Sequence, residues 1–135
     1  MKSLCLKGEI FSGRGEGAKF IELAWVKKQM EEKLGVTLYP GTLNVRLTTD
    51  SVEMGKLLKK KAGVEILPAS GYCRGRFFKA TINGVECAVL IPEVAGYPNN
   101  VVEVVASTNL RKKLCLSDGS LVEVEITLNP VFSGL

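Results

Sequence analysis

The sequence predicts one small, mainly β domain, either a barrel or a sandwich, and three observations support this class. Its 135 residues, 46% hydrophobic and 24% charged, are enough for a single domain with one core. Six or so short segments with strand-like patterns are separated by glycine, proline and asparagine turns. Only two or three short helices are predicted between them, which does not fit a parallel sheet in which strands alternate with long helices. We expect a single domain over residues 1–135, with a frayed tail from residue 129.

The first half of the chain is predicted to alternate between strands and helices. Apolar residues four apart and a following Gly35, suited to a left-handed C-terminal cap, predict the first helix. The polar residues Thr42, Asn44 and Arg46 alternate with apolar ones, so they share one face of a strand. The predicted elements are a strand over residues 4–11, a helix over 24–34, a strand over 42–47, a helix from the Asp50-Ser51 cap to Gly63, and a strand over 64–67.

The second half contains the strongest hairpin signal in the sequence. Asn83-Gly84 favours the positive φ angles of a type I′ turn, and apolar alternation flanks it on both sides. The predicted elements are hairpin strands over residues 76–82 and 85–91, a strand over 101–106, a short helix over 108–114, a turn at Asp118-Gly119, and a last strand over 121–128.

The composition excludes several kinds of function. The chain has no histidine, which removes Ser/His and Cys/His catalysis and imidazole-based zinc sites. Its four cysteines form no Cys-x-x-Cys pair, so no zinc knuckle or dithiol redox motif is present. A net charge of +4, dispersed along the chain, does not indicate nucleic-acid binding. No apolar run reaches the length of a membrane span or a leader peptide, so we expect a cytoplasmic protein without a membrane partner.

A glycine-rich loop follows the first predicted strand. Gly13, Gly15 and Gly17 precede Ala18 and Lys19, and closely spaced glycines let backbone N–H groups approach phosphate oxygens. The pattern is neither a Walker A loop nor Gly-x-Gly-x-x-Gly, which argues against a kinase of the P-loop kind. The loop is therefore either a flexible turn or a phosphate cradle.

Four other segments have a functional and an ordinary interpretation. Thr42 and Asn44 offer two oxygens to a hard cation such as Mg²⁺, or form a solvated polar face. Glu103, among β-branched residues, lies on the wet face of a strand or points into a site. Residues 107–111 form a capped helix start or an anion site. Basic and aromatic residues over 72–79 resemble a single-strand nucleic-acid platform, or are half core and half surface.

Seven short segments carry a resemblance to a known family, by their order and spacing over nearly the whole chain. They are Gly8-Glu9, Ser12-Gly13-Arg14-Gly15-Glu16-Gly17, Gly41-Thr42-Leu43-Asn44, Ala88-Val89-Leu90-Ile91-Pro92, Glu103-Val104-Val105-Ala106, Leu110-Arg111 and Asp118-Gly119. In this order they resemble the archaeal CTP-dependent riboflavin kinase family. The resemblance implies a six-stranded β-barrel of the cradle-loop type, with riboflavin and CTP as substrates and FMN and CDP as products.

The resemblance also implies roles for particular residues. It implies that Thr42 and Asn44 bind magnesium and that Glu103 contacts the flavin. Glu103 is a candidate for orienting or deprotonating the flavin hydroxyl. No protein partner is implied. The nucleotide-binding residues are Gly13, Arg14, Gly15, Glu16, Gly17, Ala18, Thr108, Asn109, Leu110 and Arg111.

One position departs from the family pattern, and one other class of function stays open. Relatives have a flavin-contacting threonine eight residues before the glutamate, whereas this chain has Ala95. Nearby Tyr97 offers a hydroxyl or a stacking face to the same loop. The alternative function is a non-catalytic barrel that binds nucleic acid or flavin as a regulator.

Overall fold

The computed structural model describes residues 3–13, 15–69 and 73–128, which form seven strands and four helices. Arg14, Tyr72 and the tail from residue 129 lie outside the described residues. In chain order the elements are β1 Ser3–Phe11, α1 Glu16–Ile21, α2 Ala24–Leu34, β2 Leu43–Leu47, α3 Thr49–Lys59, β3 Val64–Ile66, β4 Gly75–Ile82, β5 Val85–Pro92, β6 Val101–Val105, α4 Leu110–Lys113 and β7 Leu121–Thr127.

Six of the seven strands close into an antiparallel barrel. Around the barrel the order is β4-β5-β6-β2-β1-β7, and β7 returns to pair with β4 through Ala80 with Ile126 and Thr81 with Glu125. The three-residue strand β3 adds to the outer edge of β4. The predicted mainly β, six-stranded barrel is thus confirmed, and the sandwich alternative is not what forms. None of the described helices is long and apolar enough to span a membrane.

The predicted count of two or three helices is too low, because a fourth helix, α1, begins within the glycine loop. Glu16 begins this helix, although Gly15 and Gly17 on either side weaken its helical signal. The predicted start of α3 is also displaced. Its N-cap is Thr48, whose hydroxyl accepts from Ser51 N, while the Ser51 hydroxyl is buried and accepts from the backbone of Lys7 at 2.8 Å.

Two other features agree with the sequence patterns, and one boundary differs. The second helix covers Ala24–Leu34 as predicted, and Gly35 caps it with φ +74°. The hairpin turn has φ +50° at Asn83 and +79° at Gly84, as a type I′ turn requires. The helix predicted over 108–114 is shorter, because Asn109 is its N-cap and accepts from Lys112 N at 3.2 Å.

Two hydrophobic cores lie on opposite sides of the sheet. One fills the barrel and includes Val45, Val102 and Val104, all at most 1% exposed. The other lies on the outer face, where Phe20 of α1 and Met30 of α2 pack with side chains of the strands and of the chain after α2. This outer core places α1 directly against the sheet, and the functional groups lie beneath this helix.

Candidate active site

Glu103 is a buried carboxylate on the outer face of the barrel. It lies in the middle of β6, paired with Asn44 of β2 on one side and Leu90 of β5 on the other. Its neighbours Val102 and Val104 point into the barrel, so strand alternation directs Glu103 outward. Its side chain is nevertheless only 1% exposed, because α1 covers it. The interpretation of Glu103 as a wet-face residue is therefore wrong.

Four neutral groups donate hydrogen bonds to this carboxylate. The backbone N–H of Gly17 binds Oε2 at 2.8 Å, and that of Ala18 binds Oε1 at 3.1 Å. The Thr42 hydroxyl donates to Oε1 at 2.8 Å, and the Tyr97 hydroxyl donates to Oε2 at 2.7 Å. An ionised carboxylate has about four acceptor positions. The four donors therefore fill the acceptor positions of the Glu103 carboxylate, and their dipoles stabilise its charge.

Close approach of the glycine loop to Glu103 requires the absence of a side chain at Gly17. A Cβ added there would lie 2.5 Å from the Glu103 carboxyl carbon, and one added at Gly15 would lie 3.1 Å from Oε2. The first distance is well inside normal van der Waals contact. The glycines therefore let backbone donors reach an anion, which here is the Glu103 carboxylate; the predicted binding of phosphate stays a prediction.

Thr42 and Asn44 share one strand face, as their alternation predicts, and the structure places both beside Glu103. Asn44 is only 4% exposed, and its Nδ2 donates to the carbonyl of Gly13 at 2.7 Å. This bond assigns the amide nitrogen to the loop, which leaves Oδ1 as the Asn44 atom suited to a cation. Arg46, on the same predicted face, is exposed and stacks on Phe11 with its guanidinium carbon 4.2 Å from the ring centre.

The start of the glycine loop is also joined to α4. Arg111 Nη2 donates to the Phe11 carbonyl at 3.3 Å, to the Ser12 hydroxyl at 3.4 Å and to Asp118 Oδ1 at 2.8 Å. The Ser12 hydroxyl donates to the same Asp118 oxygen at 2.8 Å. These hydrogen bonds, from Arg111 first and then from Ser12, lower the pKa of Asp118. Arg111, from one segment predicted to bind nucleotide, is therefore bonded to the residues just before the other, the glycine loop.

A small cleft separates α4 from the start of β2. It has a volume of about 200 Å³, and Thr42, Asn109 and Arg111 are among its lining residues. Clefts of about 540 and 690 Å³ lie elsewhere on the barrel, and neither is lined by Glu103, Thr42 or Asn44. The candidate site is the region around Glu103, because a reaction requires convergent polar groups and not only a large cleft.

The structure divides the predicted nucleotide residues into two groups. Gly17 and Ala18 contact Glu103, whereas Arg111 contacts the residues before the loop. Arg14 lies outside the described residues. Of the predicted platform over residues 72–79 the structure describes residues 73–79, and both rings in that part are buried, Phe77 at 0% and Phe78 at 3% exposed.

Two site residues, Tyr97 and Asp118, had weak sequence signals. The sequence shows Tyr97 only as a hydroxyl near Ala95, and its contact with Glu103 depends on the loop between β5 and β6. The sequence predicts only a turn at Asp118, whereas its ion pair with Arg111 joins residues seven apart across the end of α4. Spacing alone does not predict either contact.

The fold and the site together define a class: six-stranded β-barrels in which a glycine loop encloses a buried carboxylate. A family model named CTP-dep_RFKase, with the description "Domain of unknown function DUF120", matches residues 10–126 of the chain. The chain belongs to this CTP-dependent riboflavin kinase family, which confirms the resemblance in its motifs.

Curated relatives carry the name riboflavin kinase. The chain is 42% identical to the Archaeoglobus fulgidus protein over 127 residues, covering 91% of this chain and 54% of that protein. It is 42% identical to the Pyrobaculum aerophilum protein over 133 residues, covering 93% and 62%. It is 38% identical to the Ignicoccus hospitalis protein over 127 residues, covering 91% and 71%. The chain thus spans little more than half of some of these relatives.

Proposed function

We propose that the protein is a riboflavin kinase that transfers the γ-phosphoryl group of CTP to the 5′-hydroxyl of riboflavin, giving FMN and CDP. Membership of the family and the names of the relatives support this activity. The observation that carries the proposal is the convergence on Glu103 of loop N–H donors and the Thr42 hydroxyl. Phosphoryl transfer depends mainly on positioning and charge stabilisation, which such a site provides.

The glycine loop is the proposed phosphate-binding element. The N–H groups of Gly17 and Ala18 already bind one anion, the Glu103 carboxylate. Backbone donors at the start of a helix bind phosphate oxygens by the same geometry. Arg111 holds the residue before the loop, Ser12, and lines the adjacent cleft. We infer that this cleft receives part of the nucleotide.

The residues at the start of β2 fit a magnesium ion. Thr42 Oγ1 and Asn44 Oδ1 are hard oxygen donors beside a carboxylate, which is the ligand chemistry that Mg²⁺ prefers. Within the described ranges, no group of three or more acidic or cysteine side chains could hold a metal. Much of the positive charge must therefore be balanced by substrate phosphates. When bound, the ion would supply charge stabilisation to the transferred phosphoryl group.

Glu103 is the proposed contact of the riboflavin 5′-hydroxyl. An ionised carboxylate accepts the hydrogen bond of that O–H, which directs the hydroxyl oxygen toward the phosphorus. It can either orient the hydroxyl or receive its proton as the new P–O bond forms and the bond to CDP breaks. Both roles use the same contact, so both require Glu103 to exchange one of its present donors.

The test is to incubate the protein with riboflavin, Mg²⁺ and one of CTP, ATP, GTP or UTP, and to separate FMN by chromatography. We expect FMN with CTP alone and an equal amount of CDP, and no FMN when a chelator removes the metal. FMN formed equally from all four nucleotides would refute the CTP assignment. No FMN, together with salt-sensitive oligonucleotide binding, would favour the non-catalytic alternative. The burial of Phe77 and Phe78 argues against that outcome.

A further inference from the structure

The four donors to Glu103 differ in whether the proposed reaction needs them elsewhere. Gly17 and Ala18 N–H are needed for phosphate, and Thr42 for the metal. Tyr97 has no other ligand assigned to it, and its hydroxyl donates to Oε2 at 2.7 Å. When both substrates bind, three of the four donors therefore turn to other atoms. Tyr97 is the donor that can stay.

Contacts within the loop between β5 and β6, and contacts from α3, hold Tyr97 in place. The backbone N–H of Tyr97 donates to the Val94 carbonyl at 3.1 Å, and Gly96 between them has φ +82°. Lys59 Nζ, at the end of α3, lies 5.1 Å from the centre of the Tyr97 ring and donates to the Pro98 carbonyl at 3.1 Å. The ring is thus anchored by a turn and by a cation over its face.

The hydroxyl of Tyr97 is a donor rather than a base. Burial, and next the nearby Glu103 carboxylate, raise the pKa of Tyr97 above its usual range. The phenol therefore keeps its proton at neutral pH and presents it to Oε2. Ala95, two residues earlier, has no polar side-chain atom, so it cannot share this role.

We propose that Tyr97 is a positioning residue of the kinase: its hydroxyl holds Oε2 of Glu103, so that Oε1 faces the riboflavin 5′-hydroxyl once the loop and Thr42 have released it. Tyr97 acts through Glu103 and does not itself react. The inference rests on the proposed riboflavin kinase activity. It assigns the two carboxylate oxygens different tasks, one structural and one toward substrate.

The first test compares Tyr97→Phe with the wild-type protein. The variant keeps the ring and the contact with Lys59 and removes only the hydrogen bond to a charged group. We expect kcat/KM for riboflavin to fall about 10- to 100-fold, while KM for CTP changes less than about twofold. Equal losses for both substrates, or a riboflavin kcat/KM within about twofold of wild type, would overturn the proposal.

A matched control separates positioning from stability. Ser51→Ala also removes a buried hydroxyl, the one that accepts from Lys7 N at 2.8 Å, but it lies at the start of α3 and not in the site. We expect Ser51→Ala to lower Tm without changing kcat/KM for riboflavin. If it lowers kcat/KM as much as Tyr97→Phe does, stability explains both effects and the positioning role is refuted.

A double-mutant cycle tests whether Tyr97 acts through Glu103. Riboflavin binding is measured by quenching of its fluorescence in the wild-type protein, Tyr97→Phe, Glu103→Ala and the double variant. We expect Tyr97→Phe to weaken binding in the wild-type background and to change it less than about twofold when Glu103 is already absent. Additive effects would overturn the proposal. A wild-type protein that makes no FMN would refute the kinase itself, whereas an active wild type with an unaffected Tyr97→Phe refutes only this inference.

Discussion

The two carboxylates beside the glycine loop, Glu103 and Asp118, are stabilised in opposite ways. Glu103 is 1% exposed and has four neutral hydrogen-bond donors. Asp118 has a side chain that is 57% exposed, and it forms an ion pair with Arg111 at 2.8 Å. When a donor leaves the buried anion, another polar group must take its place, because the site is closed to water. The exposed anion can turn to water, so its pair contributes little.

This difference separates a site that can exchange ligands from a contact that supports it. The groups that donate to Glu103 are neutral, so they can turn from it to a phosphate or a metal without leaving a second buried charge unpaired. The Arg111 pair instead joins the start of the loop to α4 and need not change during a reaction. Substitutions around Glu103 should therefore have large effects, and those around Asp118 small ones.

The largest effect is expected from combining Thr42→Ala with Asn44→Ala. The double variant removes both proposed magnesium oxygens, one donor to Glu103 and the bond that Asn44 makes to Gly13. We expect turnover to fall about 1,000-fold or more, because several kcal/mol of charge stabilisation is lost. FMN formation measures the loss, and circular dichroism checks that the barrel persists. Full activity in the folded double variant would exclude the metal assignment.

A smaller effect, on stability, is expected from Gly17→Ala. Helix propensity alone predicts that alanine at this position of α1 stabilises by about 1 kcal/mol. The added Cβ would instead meet the Glu103 carboxyl group at 2.5 Å, and that group cannot move freely because it is anchored by its other donors. We expect a net destabilisation of about 1–3 kcal/mol in chemical denaturation.

Gly13→Ala provides the matched control in the same loop. Its added Cβ would lie 3.8 Å from Phe11 and 4.0 Å from Asn44, which are ordinary contacts. The free energy of unfolding of this variant should stay within about 0.5 kcal/mol of wild type. If Gly17→Ala proves as stable as Gly13→Ala, the close packing of the loop on Glu103 is not a constraint.

The barrel could be predicted from the sequence because its signals are local. The type I′ turn at Asn83-Gly84 and the helix ending at Gly35 depend on residues adjacent in the chain, and both formed as predicted. The early helix α1 was missed for the converse reason. Gly15 at its N-cap and Gly17 in its first turn disfavour a helix locally, and the tertiary contacts of Phe20 and of the Glu103 carboxylate outweigh that preference.

The candidate site was predictable only in part. Strand alternation was enough to place Asn44 and Thr42 together, but the burial of Glu103 depends on α1, which covers it from a distant part of the chain. Tyr97 reaches Glu103 across a loop, and no period relates the two positions. Contacts made by loops depend on backbone paths that no repeating pattern encodes.

The smallest effect is expected from Asp118→Asn, and its sign depends on pH. Hydrogen bonds from Arg111 and Ser12 lower the pKa of Asp118 from its ordinary value of 3.8 in the folded protein. The carboxylate therefore stabilises the fold above that value, and the contribution disappears as the pH falls through the lowered pKa. At about pH 7 we expect Tm of the variant to be only about 1–2 °C lower, since the pair is exposed.

The decisive comparison is the thermal unfolding of the wild-type protein and of Asp118→Asn from about pH 7 to about pH 2. The difference in Tm should stay constant above pH 3.8 and shrink below that pH. Added salt should reduce the difference further. A difference that persists unchanged in acid would mean that Asp118 acts through the shape of its turn rather than through its charge. If Asp118→Asn destabilises the protein as much as Gly17→Ala does, the contrast between the two carboxylates is contradicted, because an exposed ion pair would then support the loop as strongly as its packing on buried Glu103.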